Sequence, residues 1–351
     1  MSFASLTINL NTIKSNIATI RNQLPKDSQL LLVAKANAYG LGAVEIAQAL
    51  DGHIDYLGVS TVREATELRE NGIKIPILLL SEPFPEELNI ISSLDLTITL
   101  YDKSTIDLVN DYATHMQSPI KTHLKIDTGL TRLGAHWDNA KNTMSHWNNT
   151  SKWVIKEGIY SHYANSNEKD HPLNELQQHR FDETKKAVKT PLTHLSNSDG
   201  LTHFKNSQCN VVRIGLSIYN NSFKLSAPIR LIKTISAGTS VSYGSTFTAK
   251  KTTNVGVIGM GYADGLSSQL SNKGYVNING INCPIIGQIC MCMFMVELPN
   301  TNEIQPSSMA TILSPSDQPG MSLQELAELT NQNPREIMTR FSQRVTRLYI
   351  S

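Results

Sequence analysis

Eight short apolar runs dominate the first two-thirds of the chain. They are Leu30–Ala34, Tyr56–Ser60, Ile75–Leu80, Leu96–Tyr101, Thr122–Ile126, Trp153–Tyr160, Pro191–Leu195 and Val211–Ile218. Between them lie stretches of helical spacing: Ala43–Leu50, Val62–Glu70, Glu86–Leu94, Ser104–His115, Asp138–Trp147, Leu173–Val188 and a weaker Ser198–Lys205. Continuous apolar runs suit strands buried on both faces, hence a parallel sheet, and parallel neighbours need crossovers. Eight such units in roughly 200 residues predict a closed (β/α)8 barrel rather than an open sheet. Upstream, Leu6, Ile8 and Leu10 alternate with polar residues as a short strand, and Ile13, Ile17 and Ile20 mark a helix over Asn11–Gln23.

From about Asn221 the texture changes. Short β-prone runs follow one another at Ile229–Ile235, Asn254–Ile258, Tyr275–Ile278, Cys283–Ile286, Phe294–Glu297 and Met309–Leu313, with helical periodicity only at Ser322–Leu329. This predicts a second, mostly antiparallel β domain. The polar stretch Asn220–Ala227 reads as the linker, giving domains over 1–222 and 223–351. A chain of 351 residues accommodates two such cores. A net charge of +1 leaves no electrostatic footprint for nucleic acid or an anionic membrane. No run reaches the length of a membrane span and no signal peptide is evident. Cys209, Cys283, Cys290 and Cys292 lack paired zinc-ligand spacing, so free thiols in a reduced cytoplasm are expected.

In a βα barrel, function gathers at the C-terminal ends of the strands. Strand one delivers Lys35, with Tyr39 in the loop beyond; strand five ends at Asp127, before Arg132. Strand six runs into Tyr160-Ser161-His162, strand seven into Asn197-Ser198, and strand eight carries Arg213 ahead of Gly215 and Leu216. Each has a plain structural reading. Lys35 can mark where a strand surfaces, His162 can be a satisfied structural histidine, Arg132 and Arg213 solvated rim charges, and Ser198 a helix N-cap. Jointly, on one rim, they suggest an amine able to form an imine beside an anion cradle, which points to pyridoxal 5'-phosphate (PLP).

The motifs themselves resemble those of alanine racemases. VAKANAYGLG is similar to the PLP-lysine signature of that family. The likeness continues through KIDTGLTRLG at 125–134, YSHYANS at 160–166, HLSNSDG at 194–200, VVRIGLSIY at 211–219, VSYGSTFTA at 241–249, GYADG at 261–265 and GQICM at 287–291. The resemblance implies a βα barrel followed by a β domain, a homodimer with shared active sites, and interconversion of L- and D-alanine, supplying D-alanine for peptidoglycan. By motif, Lys35 would bind PLP through its amine and serve one face of the substrate. Tyr243, reaching in from the partner subunit, would be the base on the other. Tyr39, Ser198, Gly215 and Leu216 would hold the phosphate. Arg213 would face the pyridine nitrogen with His162 behind it, and Arg132 would contact the cofactor and the substrate carboxylate. Met291 would approach the substrate from the partner, and Lys125 matches a lysine that is carbamylated in some members.

The residue types make chemical sense of that assignment. Lysine and tyrosine ordinarily titrate near 10, so neutral operation requires shifted values. Arginine at the ring nitrogen keeps that nitrogen unprotonated, which weakens the ring as an electron sink and disfavours side reactions such as transamination.

Several positions depart from the family pattern. Cys292 stands where aspartate is usual and Gln288 where arginine is common; Ser267-Ser268 and Gln343 also differ from some members. These leave open a broad-specificity or other-amino-acid racemase. A barrel-type PLP decarboxylase would want a glycine-rich phosphate motif that the chain lacks, and single-barrel PLP carriers lack the C-terminal domain.

Overall fold

The structure is a computed structural model that describes residues 3–204, 209–300 and 303–351. By contacts the chain forms two compact units. One comprises residues 17–38 and 43–217; the other comprises residues 1–16, 39–42 and 218–351.

The first unit is the parallel barrel. Its strands are Gln29–Val33, Tyr56–Val59, Ile77–Leu79, Leu96–Leu100, Ile120–Asp127, Val154–Tyr160, Leu192–His194 and Val211–Ile214. Each pairs in parallel with the next, and Val211–Ile214 lies in parallel beside Gln29–Val33. The Arg213 amide donates to the Ser196 carbonyl at 3.1 Å, carrying the pairing past the end of Leu192–His194 and closing the circle. The apolar runs are strands because burial on both sides rewards them: Leu30, Leu31, Leu32, Ile77, Leu78, Leu79, Ile98 and Leu100 are all inaccessible to solvent. The crossover helices follow amphipathic logic. In Val62–Glu70 the buried residues are Val62, Ala65 and Leu68, and Thr61 with Glu64 forms a capping box at its start. Lys103–Met116 buries Ile106, Val109 and Ala113 and is capped by Asp102. The weak last helix spans Ser198–His203; Lys205, where its sequence pattern ended, lies outside the described residues.

The second unit is built on the 13-residue strand Phe223–Ile235. Its first half pairs with Ser5–Asn9 and Met309–Leu313, and its second half with Thr253–Ile258, all antiparallel. Thr253–Ile258, Phe294–Leu298, Ile281–Ile286, Tyr275–Ile278 and Met309–Leu313 then follow in sheet order back to the long strand. Two expectations change here. Asn220–Ala227 is not a linker: Phe223, Leu225, Ser226 and Ala227 are the buried beginning of the long strand. Alternation with lysine and serine disguised it as a polar segment. The opening strand Ser5–Asn9, which the sequence reading placed in the 1–222 domain, groups with the second unit and pairs in parallel with the final strand Thr346–Ile350. All four cysteines are free thiols. Among the described residues, no helix is long and apolar enough to cross a membrane.

Candidate active site

The first barrel strand delivers Lys35 into an unusual turn. Ala36, Asn37, Ala38 and Tyr39 all have positive φ, between 50° and 58°. Four consecutive non-glycine residues in left-handed conformation cost about 1–2 kcal/mol each. Such strain persists only where surroundings fix it, typically at functional sites. Here the Glu64 carboxylate accepts from the Ala36 amide at 2.7 Å and from the Ser60 amide at 2.8 Å. Asn37 Oδ1 accepts from the Ala43 amide at 2.7 Å. The small residues of ANAYG suit such a turn, but the sequence alone did not reveal it. Burial first, and then the Arg132 guanidinium, push the Lys35 amine below its ordinary pKa, with Glu64 pulling it back.

Arg132 stands in a loop shaped by Asp127, whose carboxylate accepts from the Gly129 and Thr131 amides at 2.9 and 3.0 Å. Gly134 must be glycine: its φ is +136°, and a Cβ there would lie 2.5 Å from the Asp127 nitrogen. On the same strand as Asp127, Lys125 is 5% exposed and lies over the Tyr160 ring, 5.4 Å from its centroid. Burial, with Arg132, Arg213 and Lys35 adding to it, lowers the Lys125 pKa to about 7.

Arg213 is buried. Its Nη2 donates to the carbonyls of Ser161 at 2.8 Å and Leu195 at 3.1 Å, and to His162 Nδ1 at 2.8 Å. Its Nη1 donates to His194 Nδ1 at 2.9 Å. Burial lowers its pKa to about 10, so it remains a cation at neutral pH. Burial and the neighbouring cations, Arg213 foremost, hold His162 well below the ordinary histidine value, as its acceptor role toward Arg213 requires. Ser198 Oγ accepts from the Gly215 amide at 3.2 Å, so a hydroxyl and the backbone of the loops after the last two strands meet.

Thus Lys35, Lys125, Arg132, His162 and Arg213 act on one another electrostatically, and Ser198 meets Gly215. Leu216, half-buried, follows Gly215 directly. The other residues singled out by motif lie in the second unit. Tyr39 packs its ring 5.7 Å from that of Tyr219. Tyr243, 72% exposed, and Met291, 57% exposed, share an open depression with Ser242, Cys290, Cys292 and Met293. Two of the departures from the family pattern, Cys292 and Gln288, lie here. Cys292 Sγ accepts from Arg344 Nη2 at 3.5 Å, and the Gln288 carbonyl accepts from the Ser242 hydroxyl at 2.6 Å.

Three polar residues of the barrel interior escaped the sequence reading: His123, Glu157 and His194. The signal was the strand periodicity of THLKID, which places His123 on the same face as Lys125.

The donor set fits PLP. A lysine with a depressed pKa is a better nucleophile toward an aldehyde. The guanidiniums of Arg132 and Arg213, joined by Lys35 and Lys125 when protonated and opposed only by Asp127 and Glu64 in the shifts of the two lysines, welcome an anion. The Ser198 hydroxyl beside the Gly215 backbone offers a small polar cradle.

Comparison with known proteins decides the family. Residues 8–222 match the alanine racemase N-terminal domain and residues 222–349 the alanine racemase C-terminal domain. The chain belongs to the alanine racemase family. Alanine racemase 2 of Oceanobacillus iheyensis is 30% identical over 363 residues, covering 98% of this chain and 92% of that protein. The alanine racemase of a Nostoc species is 33% identical over 368 residues, covering 98% and 95%. Among solved structures, alanine racemase from E. faecalis superposes with a TM-score of 0.94 at 28% identity, covering 99% of this chain and 98% of its own. The Bartonella henselae enzyme, solved with covalently bound pyridoxal phosphate, gives 0.90 at 26% identity and complete coverage of both chains.

Proposed function

We propose that this family member interconverts L- and D-alanine with PLP, using two bases. The carrying observation is the barrel rim, where a lysine of lowered pKa stands among arginines. Lys35 would hold PLP through its amine, Arg213 would face the ring nitrogen, and Tyr39, Ser198, Gly215 and Leu216 would hold the phosphate. PLP, when bound, would supply the electron sink that loosens the Cα–H bond of an attached amino acid. Arg213, a fixed cation with no proton to give up, tempers that sink and so favours return of the proton over other outcomes.

Racemisation then requires a proton removed from one face of Cα and returned to the other. The Lys35 amine takes or gives it on one face, and its lowered pKa brings a usable fraction of neutral amine toward physiological pH. The Tyr243 phenol serves the opposite face. Its exposure on its own chain, beside Met291, supports the reading that both belong to the site of a partner subunit. Arg132 orients the substrate carboxylate, and Lys125, charged or carbamylated, sets the field around it. Four free thiols fit a reducing cytoplasm, where D-alanine is made for peptidoglycan.

The test is the visible absorption spectrum of purified protein with PLP. A band of covalently held cofactor that disappears in Lys35→Ala supports the reading; an unchanged band refutes it. The altered Gln288 and Cys292 bear on the rate and the amino-acid preference more than on the reaction type. A D-amino-acid screen in which another substrate outperformed alanine would replace alanine while leaving the two-base scheme in place.

A further inference from the structure

Barrel interiors are normally filled by layers of branched apolar side chains. This one is crossed by a continuous hydrogen-bonded chain. From Arg213 Nη1 it passes to His194 Nδ1 at 2.9 Å, from His194 Nε2 to His123 Nδ1 at 2.8 Å, and from His123 Nε2 to Glu157 Oε2 at 3.2 Å. Arg213, His194 and His123 are 3%, 0% and 1% exposed; only the Glu157 carboxylate approaches solvent. No carboxylate pairs directly with Arg213 among the described residues; its partners are two carbonyls and two imidazoles.

The direction of every bond is fixed by chemistry. A guanidinium only donates, so His194 Nδ1 must be a bare acceptor and its proton must sit on Nε2. That proton points at His123 Nδ1, which must also be bare, so His123 carries its proton on Nε2 and donates to the Glu157 carboxylate. Burial keeps both imidazoles below their ordinary pKa, hence neutral, as this order needs. Glu157 further accepts from the Thr97 hydroxyl at 3.0 Å and from the Tyr56 phenol, so its carboxylate is held ionised.

The fold makes room for this chain at two places. The register between Ile120–Asp127 and Val154–Tyr160 slips between Thr122 and His123, so that Thr122 faces Lys156, His123 faces Gly158, and Glu157 is the extra residue. Such a bulge re-aims a side chain. Next to it, Gly158 leaves the space that the imidazole fills: a Cβ there would lie 2.7–2.8 Å from three atoms of the His123 ring. The Tyr160 ring stacks on His194 at 4.5 Å and 10°, fixing the second imidazole.

We propose that Glu157, His123 and His194 are positioning residues for racemisation: a charge relay through the barrel that locks both imidazoles as Nε2–H tautomers and thereby fixes the Arg213 guanidinium. It rests on the reading of Arg213 as partner of the cofactor's ring nitrogen. Glu157 acts as a remote counter-charge, since each bond in such a chain polarises the next. Without it only Arg213 opposes reversal, and a second tautomer order becomes accessible beside the first. In Glu157→Gln the amide can donate to His123 Nε2. His123 then donates from Nδ1 to His194 Nε2, and His194 presents an N–H to Arg213, where a lone pair is required.

The experiment is long-range proton–nitrogen NMR of the holoenzyme labelled with 15N-histidine. Both His123 and His194 are expected to carry protons on Nε2 alone in the wild type, a measurement that needs no variant. In folded Glu157→Gln, whose amide can donate to His123 Nε2 as well as accept from it, a fraction of Nδ1–H tautomers is expected beside the Nε2–H form, the cofactor absorption band shifts, and kcat falls about tenfold with KM changed less than about twofold, the loss of roughly one charge-assisted bond. A merely structural glutamate would change the folded fraction and leave the tautomers of folded molecules alone. A proton on Nδ1 of either imidazole in the wild type overturns the relay, as does a folded Glu157→Gln with unchanged tautomers and kcat. The tautomers are read without turnover, so this test fails only with the relay. The reading of the cofactor site fails separately, on the Lys35→Ala spectrum.

Discussion

Lys125→Met should stabilise the cofactor-free chain in acid and lose most of that advantage in mild base. The lysine is 5% exposed, and burial, Arg132, Arg213 and Lys35 together lower its pKa from 10.5 to about 7. Below pH 7 both folded and unfolded states hold the proton, and the folded state bears the full penalty of a buried ammonium among cations. Between pH 7 and 10.5 the unfolded chain binds a proton that the folded chain does not, so folding becomes more favourable as pH rises. At 1.36 kcal/mol per pH unit, wild type regains about 2.7 kcal/mol between pH 6 and pH 9. Methionine has no such term, and its similar size limits the packing cost to below about 1.5 kcal/mol. The assay is urea unfolding of both proteins at pH 6 and pH 9, comparing the difference in free energy. A difference that moves by less than about 1 kcal/mol between the two pH values would refute the reasoning. A variant less stable than wild type at pH 6 would show that the side chain is not a buried ammonium there and would favour its carbamylated form.

Gly158→Ala should destabilise by about 2–4 kcal/mol, because the His123 ring is held on both sides and cannot yield, and overpacking plus weakened hydrogen bonds outweigh the gain from a stiffer unfolded chain; the urea midpoint reads it, and a neutral result contradicts the account of the bulge. Cys292→Asp places a carboxylate against Arg344, whose side chain is 46% exposed and already pairs with Asp264 at 3.4 Å. Stability should change by less than about 1 kcal/mol, so a large change in KM for alanine would locate the effect at the substrate approach. Because Tyr243 and Met291 are assigned to a partner's site, activity per chain should collapse on dilution to monomer, measured by sedimentation alongside the rate; constant activity in a demonstrated monomer would exclude shared sites.

The barrel was legible because its signal is long-range repetition: most of the apolar runs are strands buried on both faces, and no single run had to be read correctly alone. The second unit was harder at its start, since FKLSA sets its apolar residues among a lysine and a serine, and only pairing on both edges turns it into a buried strand. The rim residues were legible because strand ends carry chemistry in this architecture. The left-handed turn after Lys35 was not, since helical, extended and left-handed backbone share the same small residues, and the tethers that hold it, from Glu64 and between Asn37 and Ala43, appear only once the chain is folded. The relay was missed for a related reason. Histidine and glutamate within apolar strands read as local interruptions until the bulge at Glu157 and the space over Gly158 bring them into line.

The two-base scheme is tested most directly by following Cα deuterium exchange in deuterated water for L- and D-alanine separately with Tyr243→Phe. Lys35 alone can serve only one face. The account therefore predicts continued exchange into one enantiomer, little into the other, and loss of interconversion. Full racemisation in both directions by the phenylalanine variant would contradict it.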